Sequence, residues 1–400
     1  MPARQPELAL RKVLTFWPML FYGLGVIVGA GIYVALGMVM TRAGTAAPSA
    51  FLLAGIAAAL TGLCYAELVC RFPEAAGAAA FVKHGFGSDL IAQIVGAAMT
   101  LATILSAASI AHGAVLYLAV LLPLSQQALV ALLIVGFTAI AIMGIHESVG
   151  LAAVIGALEI IGLIVFIGAG LASATQFHVH ELIPTSWASA RGVIAGAFIA
   201  FFAFIGFETL ANLAEEVKNP ARDLPRGIIG SVAASTLLYV GVALAAVLSQ
   251  RSAENPVLGL FEDRGAPIFA AFGSLAVSNG VLVEIVMLAR LFYGMARNAQ
   301  LPAILAWVHP RTRTPVYATI TAGLLVLIAA LFVPFDHLLV LADVITLGIF
   351  AMVDVALWRV HRSELSTAAP FVIPRWVPPT ATVVALGLIA FEALNAWGIG

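Results

Sequence analysis

Charge is what this 400-residue sequence has least of. It holds 19 Lys and Arg and 20 Asp and Glu, for a net charge of −1. Charged residues make up 10% of the chain, against about 25% in soluble globular proteins. A water-soluble domain of this length cannot cover its surface with so few charges, so a soluble enzyme is excluded. The near-zero net charge excludes a basic face for nucleic acid. The only two cysteines, Cys64 and Cys70, exclude a disulfide scaffold and a cysteine-rich metal site. Six residues apart on a helix, they point in different directions and cannot bridge each other. Also missing are a P-loop, an HExxH run and a GxSxG elbow. No polar stretch is long enough to form a separate soluble domain.

What fills the sequence is apolar: 62% of residues and a mean hydropathy of +1.08. Apolar runs of this length read as spanning helices, because a strand crosses a bilayer in about half as many residues. The stretches 14–40, 46–70, 91–121, 128–145, 150–173, 192–216, 227–249, 266–296, 316–333, 338–358 and 379–397 read as eleven spans. No cleavage site follows the first apolar run, so no removable signal peptide is expected. With the N-terminus inside, fourteen loop Lys and Arg fall inside, among them Arg4, Arg11, Lys12, Arg71 and Lys83. Four fall outside: Arg42, Arg191, Arg251 and Arg264. The positive-inside rule therefore predicts a cytoplasmic N-terminus. The most polar stretches, 71–89 and 218–226, become cytoplasmic loops.

Two spans carry glycines where a helix would break. The first contains Gly23, Gly25, Gly29 and Gly31 within nine residues, and each glycine weakens a helix by about 1 kcal/mol relative to Ala. Gly25 and Gly29 also form a GxxxG step that suits close helix packing. The sixth span reads Phe201-Phe202-Ala203-Phe204-Ile205-Gly206-Phe207-Glu208. Interrupted spans at corresponding positions of two halves mark a transporter binding site, and five spans per half imply an inverted repeat. A half-helix starting near Ala30 offers free amides for a carboxylate. Half-helices ending near Ile27 and Phe202 offer carbonyls for an ammonium group. Together they suit both ends of an amino acid.

At these residues the sequence resembles the amino acid–polyamine–organocation transporter superfamily, and within it bacterial amino acid permeases. GLGVIVGAGIYV (23–34) is similar to the first-span motif, and FFAFIGFETLANLAEEVKNPARDLPRGI (201–228) to the sixth-span motif and its following loop. CYAELVCRFPEAAGAAAFVKHGFG (64–87) and ARLFYGMARNAQLP (289–302) resemble the exits of the second and eighth spans. The resemblance implies an all-α, five-plus-five inverted-repeat (LeuT-type) fold with discontinuous spans 1 and 6. The repeats would lie at about 14–173 and 192–358, with an extra span at 379–397. It also implies secondary active transport of amino acids by alternating access. Carried over by position, the amides of Ala30, Gly31 and Ile32 would take the substrate carboxylate beside Gly29. The carbonyls of Ile27, Phe202 and Ile205, next to Gly206, would take its amine, and the Phe202 ring would cover it. Members commonly carry twelve spans, against eleven read here, which bears on any dimer contact made by a last span.

Charges inside spans need a partner, water or a proton. Glu159 stands in span five where proton-coupled relatives carry a lysine, and is read as a coupling carboxylate or as a neutral acid bonded between helices. Glu208 opens the second half of span six, as a helix cap or as a gating or proton-linked group. Glu284 and Arg290 are six apart on span eight and do not face each other. His112 is read as a bonded core residue, Glu392 as structural, and Glu215, Glu216, Lys218 and Asp223 as a charge network. The expected function is amino acid transport across the cytoplasmic membrane, proton-coupled or by exchange. Phe202, Phe204 and Phe207 favour a neutral side chain. The alternative is a polyamine, amine or cationic amino acid transporter on the same fold. A membrane-embedded enzyme would need a nucleophile–base pair or a metal cluster, and eight histidines without paired spacing argue against it. No cofactor, metal or nucleic acid is expected. The expected partners are the substrate, protons and the bilayer, with the chain a monomer or homodimer.

Overall fold

The computed structural model describes residues 14–73, 77–143, 149–173, 182–214, 217–249, 266–297, 300–363 and 369–396. Arg4, Arg11, Lys12, Arg251, Arg264, Glu215 and Glu216 lie outside these residues. Each of the eleven apolar stretches carries helix. The first is split into α1 (Phe16–Val28) and α2 (Ala30–Ala43), with Gly29 between them at φ −50°, ψ −143°. A short 3₁₀ turn, Gly44–Ala46, leads into α3 (Ala47–Arg71). Then follow α4 (Gly77–Phe86), α5 (Asp89–Leu121), α6 (Gln126–Met143) and α7 (Val149–Ser173). The sixth stretch begins as α8 (Trp187–Phe201) and ends in two 3₁₀ segments, Phe202–Phe204 and Phe207–Leu213. The chain closes with α9 (Pro220–Ser249), α10 (Ala266–Arg297), α11 (Val316–Phe332), α12 (Phe335–Val360) and α13 (Val377–Ala396).

Among the described residues, nine helical stretches are long and apolar enough to cross a bilayer, the joined Ala30–Arg71 counting as one. The shorter apolar helices Phe16–Val28 and Val316–Phe332 complete the set. This is an all-α polytopic membrane protein.

The helices pack in two groups. α1, α2, α3, α8 and α9 contact one another, and α5, α6, α10 and α11 form a second set. α7 lies against α1 and α9, and α12 bridges to α3, α4, α5 and α8. Polar caps start three of the helices: the Ser88 hydroxyl accepts from the Ile91 amide (3.4 Å), that of Ser125 from the Ala128 amide (3.3 Å) and that of Ser186 from the Ser189 amide (3.2 Å). Each satisfies an orphan donor of the first turn.

Both polar stretches expected as loops turn out partly helical, with α9 already begun at Pro220. Within 71–89 the chain forms α4 instead of an open loop. Its alanine-rich sequence favours helix, and Ala78, Ala80, Phe81 and Val82 are buried. Phe81 meets the Tyr65 ring edge-on at 5.7 Å, and Arg359 Nε donates to the Gly85 carbonyl (3.0 Å).

The motif stretch 64–87 also carries a charged cluster that sequence reading did not single out. Glu67 is fully buried. Its Oε1 accepts from Arg71 Nε (2.8 Å) and sits 2.7 Å from His361 Nε2, while its Oε2 accepts from the Ile373 amide (2.8 Å). One carboxylate thus ties α3 to the end of α12 and to the segment entering α13. Removing one member of a buried pair costs about 3–5 kcal/mol, because the rest stay buried without a partner. Glu67→Ala should therefore lower the melting temperature of the detergent-solubilised protein markedly. An unchanged melt would show that the cluster is not holding these helices.

Candidate functional site

The two interrupted helices meet. An added Cβ at Gly31 would stand 2.7 Å from Ala203 Cα and 3.3 Å from the Phe202 carbonyl. The first turn of α2 therefore lies directly against the break in the sixth stretch, and only glycine permits that approach. Gly206 adopts φ +127°, and a Cβ there would come within 2.9 Å of Val26 Cγ1. Its place is fixed by both conformation and space.

Backbone groups freed by the breaks are largely taken up nearby. The Gly206 amide donates to Glu208 Oε2 (2.8 Å), and its carbonyl accepts from the Thr209 hydroxyl (2.6 Å). The Ile205 amide donates to the Phe202 carbonyl (3.3 Å). Tyr239 of α9, fully buried, places its hydroxyl 2.6 Å from the Ile27 carbonyl and 2.9 Å from that of Ala203. A hydroxyl has one proton to give, so the two broken helices share one donor. Sequence reading missed Tyr239 because it lies in a plain apolar run. The available signal was that a buried tyrosine hydroxyl seeks a partner.

A cavity of about 240 Å³ opens at this junction. Ile27, Gly29, Ala30, Gly31, Phe202, Ile205 and Gly206 line it, as do Glu159, Glu208 and Glu284. Phe21 of α1 and Met287 of α10, 57% and 41% exposed, also line it. Phe202 in the wall is 4% exposed, and the Tyr33 and Tyr117 rings, which do not line the cavity, meet edge to face (6.1 Å).

Most of the site residues expected from sequence are thus brought together, with differences. Ile32 is fully buried and does not line the cavity. The Ile27 and Phe202 carbonyls already accept bonds within the protein, each keeping a second lone pair. Phe204 and Phe207 are fully buried and face away from the cavity. Phe204 packs on Tyr239, and Phe207 on Tyr65 and Phe350. Glu208 caps the turn that follows Gly206. Glu159 is 2% exposed, and its Oε2 lies 4.0 Å from where a Gly29 side chain would begin. Elsewhere, the His112 ring pairs with the Ala330 carbonyl (2.8 Å), and Glu392 pairs with Arg42 (3.6 Å). Among the described residues, no group of His, Cys, Asp and Glu has the arrangement of a metal site.

A polytopic helical protein whose two interrupted helices frame a central cavity has the architecture of a secondary transporter. The comparisons give the family: residues 14–398 match amino acid permeases, and the chain belongs to that family, whose members are transporters and not enzymes. It is 32% identical over 379 residues to "Cationic amino acid transporter 3, mitochondrial" of Arabidopsis thaliana, covering 87% of this chain and 62% of that protein. To "Cationic amino acid transporter 9, chloroplastic" of the same plant it is 31% identical over 333 residues, covering 76% and 58%. To the "Methylthioribose transporter" of Bacillus subtilis (strain 168) it is 27% identical over 425 residues, covering 99% and 91%. The chain thus spans about three-fifths of the length of these plant relatives.

The glycines of the first break separate in their tolerance. A methyl at Gly29 meets nothing closer than 3.5 Å, whereas one at Gly31 strikes the Ala203 backbone. Gly31→Ala should cost about 1–3 kcal/mol from overpacking, and Gly29→Ala little. Melting curves of the two variants check this, and equal stability would contradict the close approach. A valine at Gly31 would disturb packing and ligand access together, so Gly29 is the better probe of the cavity.

Proposed function

We propose that this protein is a secondary active transporter that carries an amino acid through the cavity by alternating access. The observation that supports this most is that both helix breaks face the same cavity. The first-turn amides of α2 suit the substrate carboxylate, and the carbonyls of Ile27, Phe202 and Ile205 suit its amine. Phe202 forms the cover. The pairing of spans one, two, six and seven against three, four, eight and nine is what two repeats at about 14–173 and 192–358 would produce. We assign the protein to the cell membrane with a cytoplasmic N-terminus, on the excess of positive loop charge inside.

Transport in this reading is coupled to protons through Glu159. Its carboxylate is buried beside the Gly29 break, so any change in how the broken helix sits changes its surroundings. A proton bound in one state and released in the other links the gradient to the motion. Glu208 is the less suitable carrier, since the Gly206 amide engages its carboxylate.

Purified protein in vesicles tests both levels. Exchange of internal for external amino acid would establish the transport reading, and no exchange with any amino acid would overturn it. Glu159→Gln keeps the shape while fixing the neutral form. It should retain exchange and lose accumulation driven by an imposed pH gradient. Gradient-driven accumulation by that variant would make Glu159 structural.

A further inference from the structure

We infer that Glu284, held by Ser106, is the residue that reads the substrate side chain, and that it takes the terminal ammonium or guanidinium of a basic amino acid. The inference rests on the amino acid reading above and adds the side chain to it. Three carboxylates line the cavity, those of Glu159, Glu208 and Glu284, and among the described residues no Lys, Arg or His does. The half-buried carboxylate of Glu284 therefore stands in a largely apolar wall with no basic lining residue beside it, a setting that favours a ligand bringing its own cation. The three differ in position. Glu208 is bonded to the Gly206 amide, and Glu159 sits beside Gly29 where the backbone of the substrate would bind.

Glu284 stands further along. Gly280 of α10 abuts the start of α2, since a Cβ there would lie 3.0 Å from Ala30 Cβ and 3.2 Å from Ile110 Cγ2. Glu284 follows Gly280 by four residues on the same face of α10, about 6 Å along its axis. Ser106 precedes Ile110 by four on α5, and its hydroxyl donates to Glu284 Oε1 (3.1 Å). Two helices thus step one turn away from the helix break along the cavity wall and meet in a carboxylate held by a single hydroxyl. The four-carbon stem of a lysine-like side chain, anchored by its backbone at the break, spans about that turn. The single hydroxyl leaves the carboxylate further acceptor positions for the cation, and fixes its orientation beforehand. The sequence gives Glu284 no special motif. Its role depends on Gly280 touching Ala30, a contact between distant segments.

The test compares lysine with norleucine, which has the same chain length but no charge, by thermal stabilisation of the purified full-length protein. Lysine should reach half-maximal effect at about tenfold to a hundredfold lower concentration, the range for a hydrogen bond to a charged group. Glu284→Gln should abolish that preference while leaving the norleucine concentration unchanged. Ser106→Ala should reduce it by a smaller factor, and it serves if the Gln variant does not fold. Equal or stronger binding of norleucine by the unaltered protein would overturn the inference. So would an equal loss for both ligands in Glu284→Gln. If some neutral amino acid still binds, the transport reading survives that failure. If no amino acid binds, both fall together.

Discussion

A peptide group released from a helix inside a bilayer must find another partner, and this fold is arranged around that requirement. Two helices break at the same depth, and the freed groups are met by neighbours placed for them. Tyr239 is the centre of the arrangement. Its hydroxyl lies between the carbonyls of Ile27 and Ala203, so each broken helix depends on the same side chain of a third. An unsatisfied group here costs several kcal/mol. The contact of Gly31 with Ala203 and the positive φ of Gly206 follow from bringing the two breaks that close.

The breaks cannot be sealed completely if a ligand is to bind. The first turn of α2 begins at a glycine with no side-chain cap, so no cap side chain takes up its amides. On the other side the carbonyls are partly engaged, and their remaining lone pairs are what a substrate amine could use. The helices carrying the breaks pack with α3 and α9, while α5 and α10 supply the opposite wall. A shift of one group against the other would change the cavity without breaking either group's internal packing, which is the physical basis of alternating access.

Much of this was legible in the sequence. Low charge and long apolar runs read directly as a polytopic helical protein. The glycine clusters at 23–31 and at 206 marked both interruptions, because few other residues relieve helical backbone so cheaply. The less legible parts depend on contacts between distant segments. Tyr239 lies in an unremarkable helical run, and the partners that make Glu67 a junction, His361 and Ile373, are far away in sequence. Ile32 reads as part of the binding motif, but the turn of α2 carries it into the core. Phe204 and Phe207 look like site lining, yet the 3₁₀ geometry and the break at Gly206 direct them into the packing around Tyr239, Tyr65 and Phe350. Side-chain direction through an irregular segment does not follow from helical spacing.

The central claim is that backbone groups at the two breaks hold both ends of an amino acid. The most direct measurement is competition for exchange in vesicles by two analogues of the best transported amino acid, one lacking its carboxylate and one lacking its α-amine. The account predicts that each analogue competes at least tenfold more weakly than the parent, since a site built to bond a group rejects a ligand without it. Competition by the decarboxylated analogue as strong as that of the parent would contradict it, because the amides of α2 would then have no carboxylate to hold.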